Sequence, residues 1–441
     1  MTIKINFKIS SIGKPNIKSP LILSKILGDK IVNYVRDDQN ILYNIETKKH
    51  ISRIDIKDEE VFEKAGPREF IYFDPAKVHA GIVSSGGLCP GINDVIRALV
   101  LGLWNRYQVR QISGIRYGYK GFLPEYHLPI MELNPGIVDD IHNKGGSILG
   151  VSRGSLPLNK VVDAIERMNL NVLFTIGGDG SQKGALNIAN EIERRGLKTA
   201  VVGIPKTIDN DLCFIQRSFG FQTAVEKAVE AVTCAHTEAT SAINGIGLVK
   251  VMGRESGFIA AQTALALNDV DFVLVPEVPF DLGGKNGLFV HLEKKLSQIG
   301  HSVILVAEGA GQNLLNIKEQ FDASGNKKLG NIGLFLKKKI TDHFKKKEIE
   351  ATLKYIDPSY IIRSAPANSN DSLYCARLGY QAVHAAMAGK TKLVISLVNN
   401  RYVHLPMEMV ISKRNHIDTE GSLWRDVLEA CHQPVRMSND S

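Results

Sequence analysis

The chain lacks the features that mark a membrane-spanning, disulfide-framed or metal-finger protein. No apolar run approaches the ~20 residues needed to cross a bilayer. The five cysteines, Cys89, Cys213, Cys234, Cys375 and Cys431, form no Cys-x-x-Cys pair. That spacing argues against a zinc site or a disulfide frame and fits reduced thiols. The pattern Gly-x-x-x-x-Gly-Lys-Ser/Thr is absent, which excludes a Walker-type nucleotide fold. There is no internal repeat and no low-complexity tract. The amino end, Met1 to Ser10, alternates Lys with Ile and Phe, so it reads as a strand rather than a signal peptide. The carboxyl end, Ser438-Asn439-Asp440-Ser441, carries no Ser-Lys-Leu address. The expectation is a cytoplasmic protein.

Strong charge is also lacking. The net charge is +8, and the lysine excess collects in one place, Lys337 to Lys347. Leu336, Ile340 and Phe344 recur there at helical spacing, so the lysines read as the wet face of an amphipathic helix. No aromatic-basic stacking pattern accompanies them, so neither nucleic acid nor membrane is an expected partner.

A chain of 441 residues exceeds what one core usually organises, so two intertwined domains are expected. Residues 1–75 lack a Gly-rich element and read as an amino-terminal extension, with a turn at Arg36-Asp37-Asp38-Gln39-Asn40. From His79 the texture changes to alternating strands and helices. Strand candidates are His79–Ser84, Val109–Ile115, Asn171–Ile176, Thr199–Ile204, Gly245–Met252, Asp271–Val275, Ser302–Val306 and Leu393–Val398. Helical patterns lie between them, among others at Gly91–Trp104, Gln182–Arg195, Gln222–Thr237 and Ser372–Ala388. This alternation predicts an α/β fold, two Rossmann-like lobes with mainly parallel sheets plus the small extension. The polar stretch Gly309–Asn331 reads as a surface excursion, either a lid or effector loop or a tolerated insertion.

In an open parallel sheet, ligands bind outside the carboxyl ends of the strands. Pro205-Lys206-Thr207-Ile208-Asp209-Asn210-Asp211 follows one predicted strand, and Gly177-Gly178-Asp179-Gly180-Ser181 follows another. A turn needs one Asn or Asp, not an acid pair flanked by Lys and Thr. Gly86-Gly87-Leu88-Cys89-Pro90-Gly91 joins the first strand to its helix and lets backbone amides approach a phosphate. Together these loops suggest phosphoryl transfer. Asp179 is the candidate ligand for Mg²⁺, because a hard cation wants carboxylate oxygen. Asp209 is the candidate general base for a sugar hydroxyl, and Asp211 would orient the loop or bind the metal's water. Met252-Gly253-Arg254 follows a further strand and offers a planar cation for a phosphate or sugar. Glu308 would fix sugar hydroxyls. Tyr360-Ile361-Ile362-Arg363 and Lys354 add a hydroxyl and two cations that suit a phosphate monoester. Arg153 would neutralise charge on the transferring group.

Read together, these loops resemble the ATP-dependent 6-phosphofructokinases, in the longer branch with an amino-terminal extension. The most specific parts are Pro-Lys-Thr-Ile-Asp-Asn-Asp and Met-Gly-Arg-x-Ser-Gly. The resemblance implies phosphorylation of fructose 6-phosphate at C1 with Mg-ATP, by an allosteric homotetramer. It makes Asp209 the proton acceptor and puts Thr207 against the moving phosphoryl group. Gly86, Tyr117, Arg153, Gly154, Gly178, Asp179, Gly180 and Ser181 would line the nucleotide site. Thr207, Ile208, Asp209, Met252, Gly253, Arg254, Glu308, Lys354, Tyr360, Ile361, Ile362 and Arg363 would hold the sugar phosphate. The lobes implied are 76–221 with 363–415 for the nucleotide, and 222–362 with 416–441 for the sugar phosphate.

Two departures from the shorter bacterial pattern stand out. Gly245 occupies the position of an Arg that a neighbouring subunit supplies there, and Lys354 stands where the second such Arg would be. The donor is read from Gly180 and Lys206. Gly180 leaves room for a nucleotide, while Lys206 suits either donor, so ATP is favoured and pyrophosphate is the alternative. A catalytically inactive metabolite-binding subunit is the other reading. A lipid or NAD kinase would share Gly-Gly-Asp-Gly but needs neither the acidic loop nor Met-Gly-Arg.

Overall fold

The structure, a computed structural model, describes residues 6–45, 61–154, 157–315, 319–321 and 327–439. The chain divides into two compact units. The first comprises Met1–Thr207, Leu212–Gly220 and Pro366–Arg414; the second comprises Ile208–Asp211, Phe221–Ala365 and Asn415–Ser441.

The first unit is built on a seven-stranded sheet. Its order is Arg401–Pro406, Leu393–Val398, Ala200–Pro205, Val172–Gly177, His79–Ser84, Gln111–Ile115 and Met131–Glu132. The inner strands are parallel and both edge strands run antiparallel. Val172–Gly177 and Ala200–Pro205 are buried along their whole length, as runs of Val, Ile, Leu and Phe covered on both faces should be. Helices such as Ile92–Leu101, Asp179–Arg194 and Ser369–Met387 connect or cover these strands.

Part of the amino-terminal stretch is woven into this unit. Phe62 is fully buried in the same core as Val394, Val403 and Leu405. Lys64 bridges Val403, which extends pairing beyond the outer strand. Arg68, Glu63, Lys390 and His404 form a buried charge cluster, with Glu63 within 3.1 Å of each of the other three. Of the strand expected at Met1–Ser10, residues 1–5 lie outside the described ones. Pairing in the rest is confined to Ser10–Ser11, against Lys390–Thr391. The turn at Arg36–Asn40 is present, closed by the Gln39 amide donating to the Arg36 carbonyl at 3.2 Å.

The second unit carries a four-stranded, wholly parallel sheet ordered Phe272–Leu274, His301–Ala307, Gly245–Val251 and Thr352–Ile356. Helices Phe221–Thr240 and Phe258–Leu267 pack into one core beside it, and Leu288–Ile299 and Ile332–Lys346 into another. In Ile332–Lys346 the buried side is Ile332, Leu336, Ile340 and Phe344, with Lys337, Lys338 and Lys339 exposed, as an amphipathic helix requires. Within the excursion 309–331, residues 316–318 and 322–326 lie outside the described residues, Ser324, Gly325 and Asn326 among them.

Candidate active site

In the first unit, two strand ends arrive side by side because the parallel register pairs Pro205 with Gly177. Gln182, wholly buried, holds them there: its amide donates to the Gly177 carbonyl at 2.9 Å and the Ile204 carbonyl at 3.1 Å. Only glycine fits opposite this clamp, since a Cβ on Gly203 would lie 2.2 Å from the Gln182 Oε1. Gly178 is the N-cap of helix Asp179–Arg194 and provides no side-chain cap, so the first amides remain available to an anion. Asp179 is the first residue of that helix, partly exposed, with the Arg414 guanidinium 3.9 Å away.

The Gly-rich loop lies against these ends. Gly86 has φ +93°, and a Cβ there would lie 3.4 Å from the Lys206 Nζ and 3.6 Å from the Ser181 Oγ. Lys206 is buried and donates to the Gly87 carbonyl at 2.7 Å. A Cβ on Gly87 would lie 3.1 Å from the Arg153 guanidinium. Gly86, Arg153, Gly178, Ser181 and Lys206 thus share one neighbourhood. Gly154 follows Arg153 at the exposed tip of its loop. Gly180 differs from its neighbours, as a Cβ there would meet no heavy atom within 4 Å. Tyr117 adopts φ +56° and lays its ring over Gly150, in the loop that leads to Arg153. The Thr207 carbonyl accepts from the Ser218 hydroxyl, which anchors the start of the acidic loop.

In the second unit, Asp209 is the focus. Its Oδ2 accepts a long hydrogen bond from the Arg254 amide at 3.4 Å, and its backbone carbonyl accepts from the Ser256 hydroxyl at 3.2 Å. Oδ1 is buried and has no hydrogen-bond partner. Burial, then the charges of Asp211 and Glu308, raise its proton affinity from an ordinary 3.8 to about 7. The Arg254 amide and the Arg363 cation oppose that shift without cancelling it. Asp211 is buried, and its carbonyl accepts from the Asn415 amide at 2.8 Å. Ile208 packs its apolar side chain against the unit's core.

Met252, Gly253 and Arg254 leave the strand Gly245–Val251 in a tight turn. Gly253 has φ +128°, and a Cβ there would sit 2.5 Å from the Ser256 carbonyl. Glu308 starts the neighbouring loop, its amide donating to the Val251 carbonyl at 3.0 Å. Arg363 points its Nε at the Met252 Sδ, 3.3 Å away. Tyr360 is 83% exposed and Ile361 68%, so both are accessible to a ligand. Ile362 is fully buried in the apolar core, so any part it takes in binding runs through its backbone.

Lys354 is not brought to this end of the sheet. It pairs with Gly247, five residues before Met252, which at ~3.3 Å per residue is roughly 16 Å along the strand. Its ammonium meets Glu238 at 3.4 Å. Glu277 carries no signal in the sequence, yet it accepts both the Gly257 amide at 3.0 Å and the Ile417 amide at 2.9 Å. The same holds for Gln182 and Arg414. A Gln inside a helix and an Arg in a polar tail carry no pattern of their own.

Buried acids, cations and bare glycine backbone at the carboxyl ends of parallel strands are the parts of an α/β phosphotransferase. The phosphofructokinase family profile matches residues 79–386. The chain is 54% identical, over 99% of its length and 98% of the relative's, to a protein of Borreliella burgdorferi named ATP-dependent 6-phosphofructokinase. It is 49% identical, over 85% of its length and 83% of the relative's, to one of the same name from Amycolatopsis methanolica. Among solved structures, the pyrophosphate-dependent phosphofructokinase of Marinobacter aquaeolei superposes with a TM-score of 0.65 over 81% of this chain and 92% of that one. At 20% identity that likeness speaks to the fold alone. The chain belongs to the phosphofructokinase family.

Proposed function

We propose that this chain transfers the terminal phosphoryl group of ATP to the C1 hydroxyl of fructose 6-phosphate, giving fructose 1,6-bisphosphate and ADP. The observation that carries the reading is the state of Asp209, which has a buried carboxyl oxygen without a partner and a proton affinity raised to about 7. A carboxylate in that state takes a proton readily, because protonation removes an uncompensated buried charge. As the C1 oxygen bonds to phosphorus and the bond to the ADP oxygen breaks, Asp209 takes the hydroxyl proton. Thr207 and Arg153 contact the transferring group, and Asp211 holds the acidic loop in place. Gly86, Tyr117, Gly154, Gly178, Gly180 and Ser181 take the nucleotide. Ile208, Met252, Gly253, Arg254, Glu308, Tyr360, Ile361, Ile362 and Arg363 take the sugar phosphate. Lys354 serves a sugar phosphate bound by a neighbouring subunit of a homotetramer, in keeping with its distance from Met252 in its own chain.

Asp179 fits Mg²⁺. Among the described residues no group of three or more His, Cys, Asp or Glu forms a metal cage. A single, partly exposed carboxylate at a helix start suits the metal that usually shares its shell with phosphate oxygens and water. When bound there, Mg²⁺ would neutralise donor phosphate charge. For the donor, Gly180 supports ATP, since its open side leaves room that an acid would fill and repel. Regulation by effectors and a cytoplasmic location complete the proposal; no helix among the described residues is long and apolar enough to cross a membrane.

The test is formation of fructose 1,6-bisphosphate with ATP or pyrophosphate, using the wild type and Asp209→Asn. Turnover with ATP that the substitution abolishes is the expected result. Turnover with pyrophosphate alone would reverse the donor assignment. Sugar-phosphate binding without turnover would leave a metabolite-binding subunit instead.

A further inference from the structure

Lys250 is out of place by composition. It lies in Gly245–Val251, a strand buried at every position, and is itself only 9% exposed. Lysine is almost never buried unless paired. Its partner is Asp357, whose Oδ2 is 2.8 Å from the Lys250 ammonium. Asp357 follows the adjacent strand Thr352–Ile356 and stands just before the short helix Ser359–Ser364. Its other oxygen accepts from the Ser359 hydroxyl at 2.6 Å and the Ser359 amide at 3.2 Å. The N-cap residue, Pro358, makes no side-chain cap, so Asp357 secures the helix start. Burial alone would raise the Asp357 carboxyl, but Lys250 and Ser359 outweigh it and hold it below the usual carboxylate range.

The same helix is secured a second time. Arg363 reaches the Met252 sulfur at 3.3 Å. Met252 lies two residues beyond Lys250, just past the strand end, and packs in the core that also holds Val251 and Ile362. Lys250 to Asp357 and Met252 to Arg363 are thus two links between one strand end and one helix, the first at the helix start and the second near its end. An apolar pair of equal volume would fill the space but would not fix the helix in rotation. An ion pair with one buried member carries direction as well as charge.

We propose that Lys250 and Asp357 are positioning residues for the sugar-phosphate half of the site, orienting Arg363 and Tyr360 toward the phosphate before it arrives. The inference rests on the functional reading above, which gives those two residues the sugar phosphate. Neither member of the pair is among the residues given to the substrate above. Pre-orientation matters because a misplacement of about 1 Å in a supporting group can change rates or affinities by about 100-fold.

The test compares the full-length wild type with Lys250→Met, Asp357→Asn and the double variant, measuring kcat, both KM values and the thermal midpoint. Asp357→Asn leaves the buried Lys250 charge unpaired and is expected to unfold earlier, whereas Lys250→Met leaves Asp357, which water reaches, on Ser359 and should cost less. The double variant leaves neither charge, and its midpoint is expected to return toward wild type. Asp357→Asn retains a side-chain oxygen that can accept from Ser359, so the double variant removes the link to the strand while keeping the cap. Its KM for fructose 6-phosphate should stay raised about 10- to 100-fold. Its kcat at saturating sugar phosphate and its KM for ATP should stay within about twofold. A KM for the sugar phosphate that recovers together with the midpoint would overturn the positioning role and leave a purely structural pair. Equal losses in kcat and both KM values would overturn it as well. A wild type that turns over no fructose 6-phosphate with either donor would instead sink the functional reading, and the half-site with it.

Discussion

Replacing Asp209 with Asn should give a poorer catalyst and a more stable fold, and pH should separate the two effects. The residue is half-buried, its Oδ1 is fully buried without a partner, and Asp211 and Glu308 oppose its charge. The unfolded chain releases this proton near the ordinary value of 3.8, and the folded chain near 7. Between those values the unfolded state has lost its proton while the folded state keeps it. Stability therefore falls as pH rises through that window and levels off above about 7. About three pKa units at ~1.4 kcal/mol each set a ceiling of about 4 kcal/mol. Asn does not ionise, but its amide must still be housed without full hydrogen bonding. Roughly half the ceiling, about 2 kcal/mol, is the expected gain at pH 8. For a unit of this size that is roughly 4–8 °C in thermal midpoint. Near pH 4.5 only about 1 kcal/mol of the ionisation cost has appeared, so the amide's cost of about 2 kcal/mol should make the variant the less stable of the two there by about 1 kcal/mol. In the same preparations kcat should fall about 10²- to 10⁴-fold, the usual contribution of a general base. Thermal unfolding followed by circular dichroism from pH 4.5 to 8.5 reads the first effect, and a coupled assay reads the second. A midpoint difference that is equal at both ends of the range, or a variant less stable at pH 8, would refute the claim that Asp209 carries an uncompensated buried charge.

Gly180→Asp should leave the thermal midpoint within about 0.5 kcal/mol of wild type, because its side chain enters open space and an acid suits a helix first turn. Steady-state kinetics should then show the KM for ATP raised about 10- to 100-fold by charge repulsion, and an unchanged KM would remove the case for ATP. Glu63→Gln should destabilise the first unit by about 1–2 kcal/mol at neutral pH, since it leaves Arg68 and Lys390 with the exposed Asp37 as their remaining carboxylate. Burial alone would raise the Glu63 carboxyl, but His404, Lys390 and Arg68 hold it at about 2, so its contribution is complete above 4.5 and lost as pH falls through 2. A denaturant midpoint identical to wild type at neutral pH would contradict this. Gln182→Ala should cost about 2 kcal/mol and also lower kcat/KM for both substrates, because two strand ends lose their shared amide; an effect on stability alone would show that the loops hold their places without it.

The readable parts of the fold are those where local pattern and final environment coincide. His79–Ser84 and Leu393–Val398 end where their apolar runs end, because both strands are covered on either face. The outer strand Arg401–Pro406 went unread, since Arg, Tyr and His break its apolar pattern. A cue did exist: Asn399 and Asn400 both adopt positive φ, the signature of a tight turn between antiparallel strands. Thr352–Ile356 escaped for a related reason, as no position in that short edge strand is fully buried and Lys354 interrupts it. The weave of the amino-terminal stretch was hidden because Glu63 and Arg68 look like solvent-facing charges until Lys390 and His404 are folded against them.

The site divides along the same line. The residues proposed to meet ligand display their chemistry in short loops, so Asp179, Lys206, Asp209 and Arg254 stand out from spacing alone. Residues that hold those loops act through partners supplied by distant segments, and a partner is not a sequence pattern. Gln182 and Glu277 each satisfy backbone groups on two separate segments, and nothing adjacent to either residue signals it. Lys250 is the exception that shows what could have been used. A lysine near the end of Gly-Ile-Gly-Leu-Val-Lys-Val cannot reach water from a strand covered on both faces. Its presence alone demands an anionic partner, and Asp357, beside the helix that carries Arg363, supplies it. A charge inside a run whose pattern says core therefore points to support for the proposed site, as the acid pair in a loop points to its proposed chemistry.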